Sequence, residues 1–589
     1  MGDPSLPGPP GSATRSERLE SWKEIAAYLG RTTRTVQRWE REAGLPVHRL
    51  RRDRQGSVYA VRSELDEWWR SRGEAPEAPD EPAERSAAAG VTPSRSAGRR
   101  LAAVALLAAL GLAASLPLVR RARDPAPARI RLAVLPFRNS GGDATNDFLA
   151  DGLTEELITD LGRSSPSGLG VIALSSVQRY AGASDAADRA AQELEVDYLL
   201  EGGLGVSGEE IHVTARLVRA ADRIVVWAES YDRRLAELPA VEAGISLEVA
   251  RALALTAPPR RAQAPPEEDP EAYAGFLRGR FEANRRTGES LRRALEALLG
   301  AARRAPRSAR IWSAIADVYS LSANYGVLPP DEAYPKAREA AERALALDPV
   351  SSDAHASLAF ILRNYDWDLR GAEREFLAAL ALNPNDARVW NWYALHLAGG
   401  GRFAEAREAV GRALDLDPVA TGTLARSANV DFVAGRYEQA IASLRTILEI
   451  SPDNVNAHLD LGRALAQVGS WDAALRELQR AAEISGGHPM ALAVIGNVQA
   501  RAGRRDEALL TLDALLALEP ETYVAPYYKA ILYAGLGDAD EAMRWLEAVR
   551  ESRHVGVLWI AVEPELSSLR GDPRFRALLL QLGLRPVPG

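Results

Sequence analysis

The 589-residue sequence contains no cysteine. That excludes a disulfide framework, a thiolate nucleophile and a cysteine-ligated zinc, while leaving the redox compartment open. Lysine is nearly missing: Lys23, Lys336 and Lys529 are the only three among 72 basic residues. Together with the abundance of Ala, that bias points to a GC-rich bacterial genome rather than to a function. The seven histidines (48, 212, 355, 396, 458, 488 and 554) form no His-Glu-x-x-His pair and no other ligand spacing. No phosphate-cradling Gly-x-x-x-x-Gly-Lys loop, no Gly-x-Ser-x-Gly elbow and no kinase signature set occurs. Carboxylates are scattered over helix faces. The expectation is a non-enzyme, with no catalytic, cofactor-binding or metal-binding residue to assign.

What is present suggests about four domains by length alone. Hydrophobic residues at 47% and charged ones at 26% are ordinary for folded protein. The net charge of −8 is unevenly spread: Arg15–Arg72 carries +5, leaving −13 for the rest. The longest apolar run is Leu101–Val119, whose nineteen residues include no charge. As a helix it would measure about 28 Å, close to a hydrocarbon core of roughly 30 Å. Arg99 and Arg100 precede it; Arg120, Arg121 and Arg123 follow. About a hundred residues precede the run, which argues against a secretory leader. The expectation is a single transmembrane helix at 101–119. Arginines are balanced on its two sides, so charge alone does not orient it.

Before that run, residues 1–18 read as disordered and 73–100 as a flexible Ala/Pro/Glu/Ser tether. Between them, Ser21-Trp22-Lys23-Glu24 is a capping box opening a helix that carries Ile25, Ala26 and Leu29 on one face. After Gly30 a second helix turns Val36 and Trp39 inward and Arg34, Thr35, Gln37, Arg38 and Arg41 outward. This is a helix-turn-helix pattern, with outward side chains of the types that bond base edges and phosphates. Two short strands, Val47–Leu50 and Ser57–Val61, flank a basic turn, and a closing helix carries Leu65, Trp68 and Trp69. These residues, WKEIAAYLGRTTRTVQRWEREAGLPVHR and RSELDEWW, resemble excisionase-like and MerR-type winged-helix domains over residues 19–72. The resemblance implies that Thr33, Arg34, Thr35, Gln37 and Arg38 face the groove of double-stranded DNA. It further implies that Arg51, Arg52 and Arg54 on the wing touch phosphates. The long dimerising helix of MerR proteins has no counterpart here.

Beyond the apolar run, strand and helix alternate over 130–257 in an α/β pattern. Gly203-Leu204-Gly205-Val206-Ser207-Gly208 spells Gly-x-Gly-x-x-Gly, but between two strands, so a hairpin is expected and not a dinucleotide fold. RLAVLPFRN, DFLADGLTEELITDL and VDYLLEGGLGVSGEEIHVTARLV resemble the TolB N-terminal-like domain, which implies a role in protein contact. A Pro/Glu-rich stretch at 258–270 then separates this domain from the last one. There Gly401, Gly435, Gly469, Gly503 and Gly537 recur every 34 residues, as do Ala406, Ala440, Ala474, Ala508 and Ala542. Thirty-four is the tetratricopeptide period of two antiparallel helices. The small residues are expected where helices cross closely, with prolines such as Pro418 and Pro452 ending second helices. The repeats resemble the tetratricopeptide family over 271–554, and 555–589 resembles its capping segment. Such stacks form a concave surface suited to a protein or peptide.

The fold class expected is therefore multidomain and mainly α: winged helix-turn-helix, one transmembrane helix, α/β TolB-like domain and tetratricopeptide solenoid. The layout is similar to CadC-type one-component regulators. It implies a single-pass protein of the bacterial inner membrane, with a cytoplasmic N-terminus, an extracytoplasmic C-terminal region and a signal passed as a change in homodimerisation or in the spacing of the cytoplasmic domains. The alternative is a membrane-anchored tetratricopeptide scaffold that binds no DNA.

Overall fold

The computed structural model describes residues 18–19, 21–29, 36, 39–40, 45–49, 58–70, 129–164, 168–255, 269–519, 522–552 and 554–586. They belong to two compact units, Met1–Val119 and Arg120–Gly589.

The first unit contains β1 (Arg18–Leu19), α1 (Trp22–Tyr28), β2 (His48–Arg49), β3 (Val58–Val61) and α2 (Arg62–Arg70). The strands form an antiparallel sheet in the order β1-β3-β2. Ser21 Oγ accepts the Glu24 N–H at 3.2 Å, as a helix-capping side chain does. Leu19, Ile25, Ala26, Val36, Leu45, Ala60 and Leu65 make the core, with Trp22, Trp39 and Trp68 packed against it.

The second unit opens with β4 (Ile130–Val134), β5 (Arg138–Asn139), α3 (Asp147–Ser164), β6 (Leu169–Val171) and α4 (Ala186–Leu194). It continues with β7 (Tyr198–Ser207), β8 (Glu210–Arg219), β9 (Val225–Arg234) and α5 (Leu238–Ala252). Their six-stranded sheet runs β6-β4-β7-β8-β9, with β5 also on β7. β4 pairs in parallel with β6 and β7; β7, β8 and β9 are antiparallel. β4 is buried on both faces because its side chains alternate between two helical layers. Leu132 and Val134 join the α3/α5 core, while Ala133 and Leu135 join the α4 core. The Gly-x-Gly-x-x-Gly run lies in the β7–β8 hairpin, where Gly208 takes φ 62°.

Eight helix pairs follow among the described residues. They are α6 (Pro270–Asn284) with α7 (Gly288–Arg304), α8 (Ala309–Asn324) with α9 (Pro330–Leu347), α10 (Ser352–Ile361) with α11 (Leu369–Leu382), and α12 (Ala387–Gly399) with α13 (Phe403–Leu416). Next come α14 (Thr421–Val433) with α15 (Tyr437–Ile450), α16 (Val455–Gln467) with α17 (Trp471–Ile484), α18 (Pro489–Arg501) with α19 (Arg505–Ala517), and α20 (Pro526–Leu536) with α21 (Ala539–Glu551). A last helix, α22 (Pro573–Gln581), closes the chain.

The recurring small residues divide into two kinds. Ala406, Ala440, Ala474, Ala508 and Ala542 are fully buried at the helix crossings, as expected. The recurring glycines are not crossing residues. Gly435, Gly469, Gly503 and Gly537 take φ between 74° and 82°, and a Cβ added there would meet nothing within 4 Å. Each ends a first helix: Gly435 N–H donates to Phe432 O and Arg436 N–H to Asp431 O at 2.8 Å, a left-handed C-terminal cap.

The linker expected to separate the α/β domain from the repeats does not keep them apart. Asn385 Nδ2 donates to Gly162 O at 2.8 Å, and Arg163 meets Asp353 at 2.9 Å. Ala173 N–H donates to Leu416 O at 2.8 Å, and Ser175 and Ser176 both donate to Asp417 at 2.7 Å. These partners lie up to about 240 residues apart in sequence, beyond the reach of local pattern.

The membrane expectations are corrected. The run 101–119 lies outside the described residues, and among the described residues no helix is long and apolar enough to cross a membrane. The longest, α3 and α9, have 18 residues each but carry charges such as Asp151, Glu155, Glu332 and Lys336. α9 packs one face and shows the other to water, whereas α3 is covered on both sides and exposes only Asp147. The fold class is thus mainly helical and multidomain with a tetratricopeptide solenoid, without the transmembrane helix. The inner-membrane, single-pass localisation with extracytoplasmic repeats is withdrawn with it.

Candidate nucleic-acid interface and solenoid groove

In the first unit the expected DNA-contacting residues, Thr33, Arg34, Thr35, Gln37, Arg38, Arg41, Arg51, Arg52 and Arg54, lie outside the described residues. The structure does place the residues that would anchor them. Val36 is fully buried, and the Trp39 ring lies 5.8 Å from Trp68 of α2. His48 of β2 sits 2.6 Å from Glu64 and stacks on Tyr59 at 5.1 Å, tying β2, β3 and α2 together.

In the second unit the expected partner surface is the side lined by the first helix of each pair. From the third pair to the eighth, that side is crossed by the chain's own residues 555–570. Two 3₁₀ turns, Val555–Trp559 and Pro564–Leu569, run over it. Arg363, in the π-turn after α10, lies 5.6 Å from the Trp559 ring. A Cβ on Gly399 of α12 would come within 2.8 Å of Leu558 O, so only glycine admits the segment there. Arg463 of α16 donates through Nε to Glu565 at 2.8 Å and also pairs with Glu563. The same guanidinium lies 4.6 Å from the Phe432 ring of α14. Tyr527 of α20 donates to Glu563, and Ser568 Oγ to Ala534 O at 3.4 Å. Val557, Leu558, Ile560, Ala561, Val562 and Leu566 are all buried in the shared core.

Sequence reasoning took this segment as a cap beyond the last repeat and missed its path. The signal was present as the apolar stretch VGVLWIAV before Glu563-Pro564-Glu565, too long for a turn and without a helical stripe.

The electrostatics follow from three carboxylates sharing one guanidinium, since Asp460 of α16 also meets Arg463 at 3.3 Å. Burial pushes the Glu563 carboxyl up to about 8, with Arg463 pulling the other way. Burial acts on Glu565 as well, but Arg463 outweighs it and holds that carboxyl below the usual range. Glu563 therefore holds its proton more tightly than Glu565 does. Arg426 lies on α14. Protein around it lowers its pKa, and Arg286 lowers it further.

At the junction of the α/β domain and the solenoid, Arg280 bonds Glu156 at 2.9 Å and also pairs with Glu155. Tyr273 donates to Glu242 at 2.6 Å. Burial raises Glu242 well above the ordinary carboxylate value, aided by Asp160 and Glu156. No group of three or more His, Asp or Glu that could hold a metal ion occurs among the described residues.

Residues 128–241 match the family described as HilA/YgeH-like transcriptional regulator, second domain. Tetratricopeptide repeat families match residues 368–421, 433–498 and 494–553. The expected TolB-like character of the α/β domain finds no support there. A protein of Rhizobium meliloti (strain 1021) named as an adenylate cyclase is 38% identical over 157 residues, 26% of each chain. The transcriptional regulator HilA of Salmonella typhimurium is 26% identical over 297 residues, 50% of this chain and 52% of that one. The chain thus spans about a quarter to a half of the relatives it matches. A solved structure of pilF from Pseudomonas aeruginosa is 23% identical and covers 36% of this chain and 95% of that one, with a TM-score of 0.29. A tetratricopeptide protein from Parabacteroides merdae is 14% identical, covering 42% and 97%, with a TM-score of 0.33. The chain carries a HilA-like transcriptional regulator domain joined to tetratricopeptide repeats.

Proposed function

We propose that the chain is a transcription regulator in which residues 19–72 bind double-stranded DNA and the tetratricopeptide region receives a protein partner. The observation that carries this reading is the joining of a regulator-type second domain and repeats to a basic module with helix-turn-helix spacing. Within that module Thr33, Arg34, Thr35, Gln37, Arg38 and Arg41 face the major groove, and Arg51, Arg52 and Arg54 contact phosphates. Residues 73–100 tether the module, 130–257 form the α/β domain, 271–554 the repeats and 555–589 the closing segment. Because residues 555–570 cross the concave side from the third pair to the eighth, the partner meets the part left open over the first two pairs.

The test is fluorescence anisotropy of the full chain on labelled duplex DNA. Affinity should fall steeply as salt rises. Arg34→Ala or Arg38→Ala should each cost about 1–3 kcal/mol where the side chain reads a base. Equal binding by wild type and the double variant at moderate salt would remove the DNA-binding assignment and leave a scaffold.

A further inference from the structure

β9 is ten residues long and forms one end of the sheet. Among the described residues only β8 pairs with it. Leu235 N–H donates to Glu209 O at 2.7 Å, one step beyond the Glu210↔Arg234 pair. Odd-numbered residues of β9 therefore aim their backbone groups at β8. From Trp227 on, even-numbered ones, Ala228, Ser230, Asp232 and Arg234, aim theirs outward. A free strand edge of this length is a template for another strand, and proteins usually blunt it with proline, a bulge or a run of like charge. β9 has no proline, and its one bulge, at Val226 where Leu217 pairs Trp227 and Val218 pairs Val225, lies near its start and leaves 227–234 in regular register. Its charges are of both signs.

We infer that β9 is the pairing edge for a second copy of this chain, in antiparallel register about a two-fold axis at Tyr231. An antiparallel pair across the outward groups must match even residues with even and odd with odd. With Tyr231 opposite Tyr231, Ser230 meets the partner's Asp232. Glu229 meets the partner's Arg233, and Arg233 meets the partner's Glu229. Glu229, Tyr231 and Arg233 share the face that carries α5, where Tyr231 approaches Gly244. The two ion pairs and the tyrosine pair thus form one ladder on one face. Arg234 N–H is already bonded to Glu237 Oε2 at 3.1 Å, which ends the ladder at that residue. The match requires a self-complementary strand, and the order Glu229-Ser230-Tyr231-Asp232-Arg233 supplies it.

The test is sedimentation velocity on the full chain without DNA. Wild type should be a dimer. Ser230→Pro removes an outward N–H and spares the β8 ladder, so it should give a folded monomer. Glu229→Arg and Arg233→Glu should each weaken dimerisation roughly tenfold, since each sets two like-charge pairs face to face. The double variant Glu229→Arg/Arg233→Glu should restore it to within about threefold. A wild-type monomer, a dimer indifferent to these changes, or a double variant without rescue would each overturn the inference. The charge exchange decides the matter even if Ser230→Pro fails to fold.

Discussion

Arg463 is 7% exposed and faces two carboxylates from a segment a hundred residues further on. Removing it leaves Glu563 and Glu565 buried without their cation, so Arg463→Ala should cost roughly 3–5 kcal/mol. Chemical denaturation of the full chain measures this, and a loss below about 1 kcal/mol would mean that the segment does not depend on the cluster. The pH dependence has a definite sign. Glu563 has a folded pKa raised from 4.5 to about 8. Its contribution is complete below about 4.5 and is lost as pH rises through about 8, when a second charge must be carried in the buried site. Glu563→Gln should remove that part of the decline. The difference in melting temperature between wild type and variant, followed across this range, should therefore change with pH. None of this was legible in sequence, because an Arg on a repeat helix and a Glu-Pro-Glu after the array carry no local sign of meeting.

At the scale of the helix pair, the period of 34 was plain in the sequence, but two physical causes were merged in it. Ala440 is buried where helices cross, and Ala440→Phe should overpack that crossing at a cost of about 1–3 kcal/mol or more. Gly435 stands in open space with φ 74°, so its cost on substitution lies in the backbone alone. Gly435→Ala should cost roughly 1–2 kcal/mol, and Gly435→Asn distinctly less, because Asn tolerates the left-handed region. Equal losses for Ala and Asn would show that contact, and not backbone conformation, selects glycine there. A period reports recurrence; only the dihedral angle and the empty space beside the residue separate a cap from a crossing. Strands show the same limit. Alternation located β8, whose buried residues Ile211, Val213 and Ala215 face one way. It could not show that β9 is left with a bare edge.

At the scale of the molecule, the α/β domain and the solenoid are one unit, joined through contacts such as those of Asp417 with Ser175 and Ser176. Asp417→Ala leaves the buried Ser176 hydroxyl without its acceptor and should lower stability by roughly 1–3 kcal/mol. Calorimetry should show a single transition for the second unit in wild type, with the variant melting earlier or in two steps. An unchanged transition would make the junction incidental. Composition and spacing brought out the order of the parts along the chain, yet not this docking, since a Pro-rich stretch reads as a separator whether or not its flanks pack together. We propose that the chain regulates transcription by binding DNA through its N-terminal module. Selection of duplexes from a random pool by the full chain tests it most directly. The account predicts convergence on a defined site, abolished by Arg34→Ala/Arg38→Ala. A pool that stays random with wild type, or that converges equally with the variant, would contradict it.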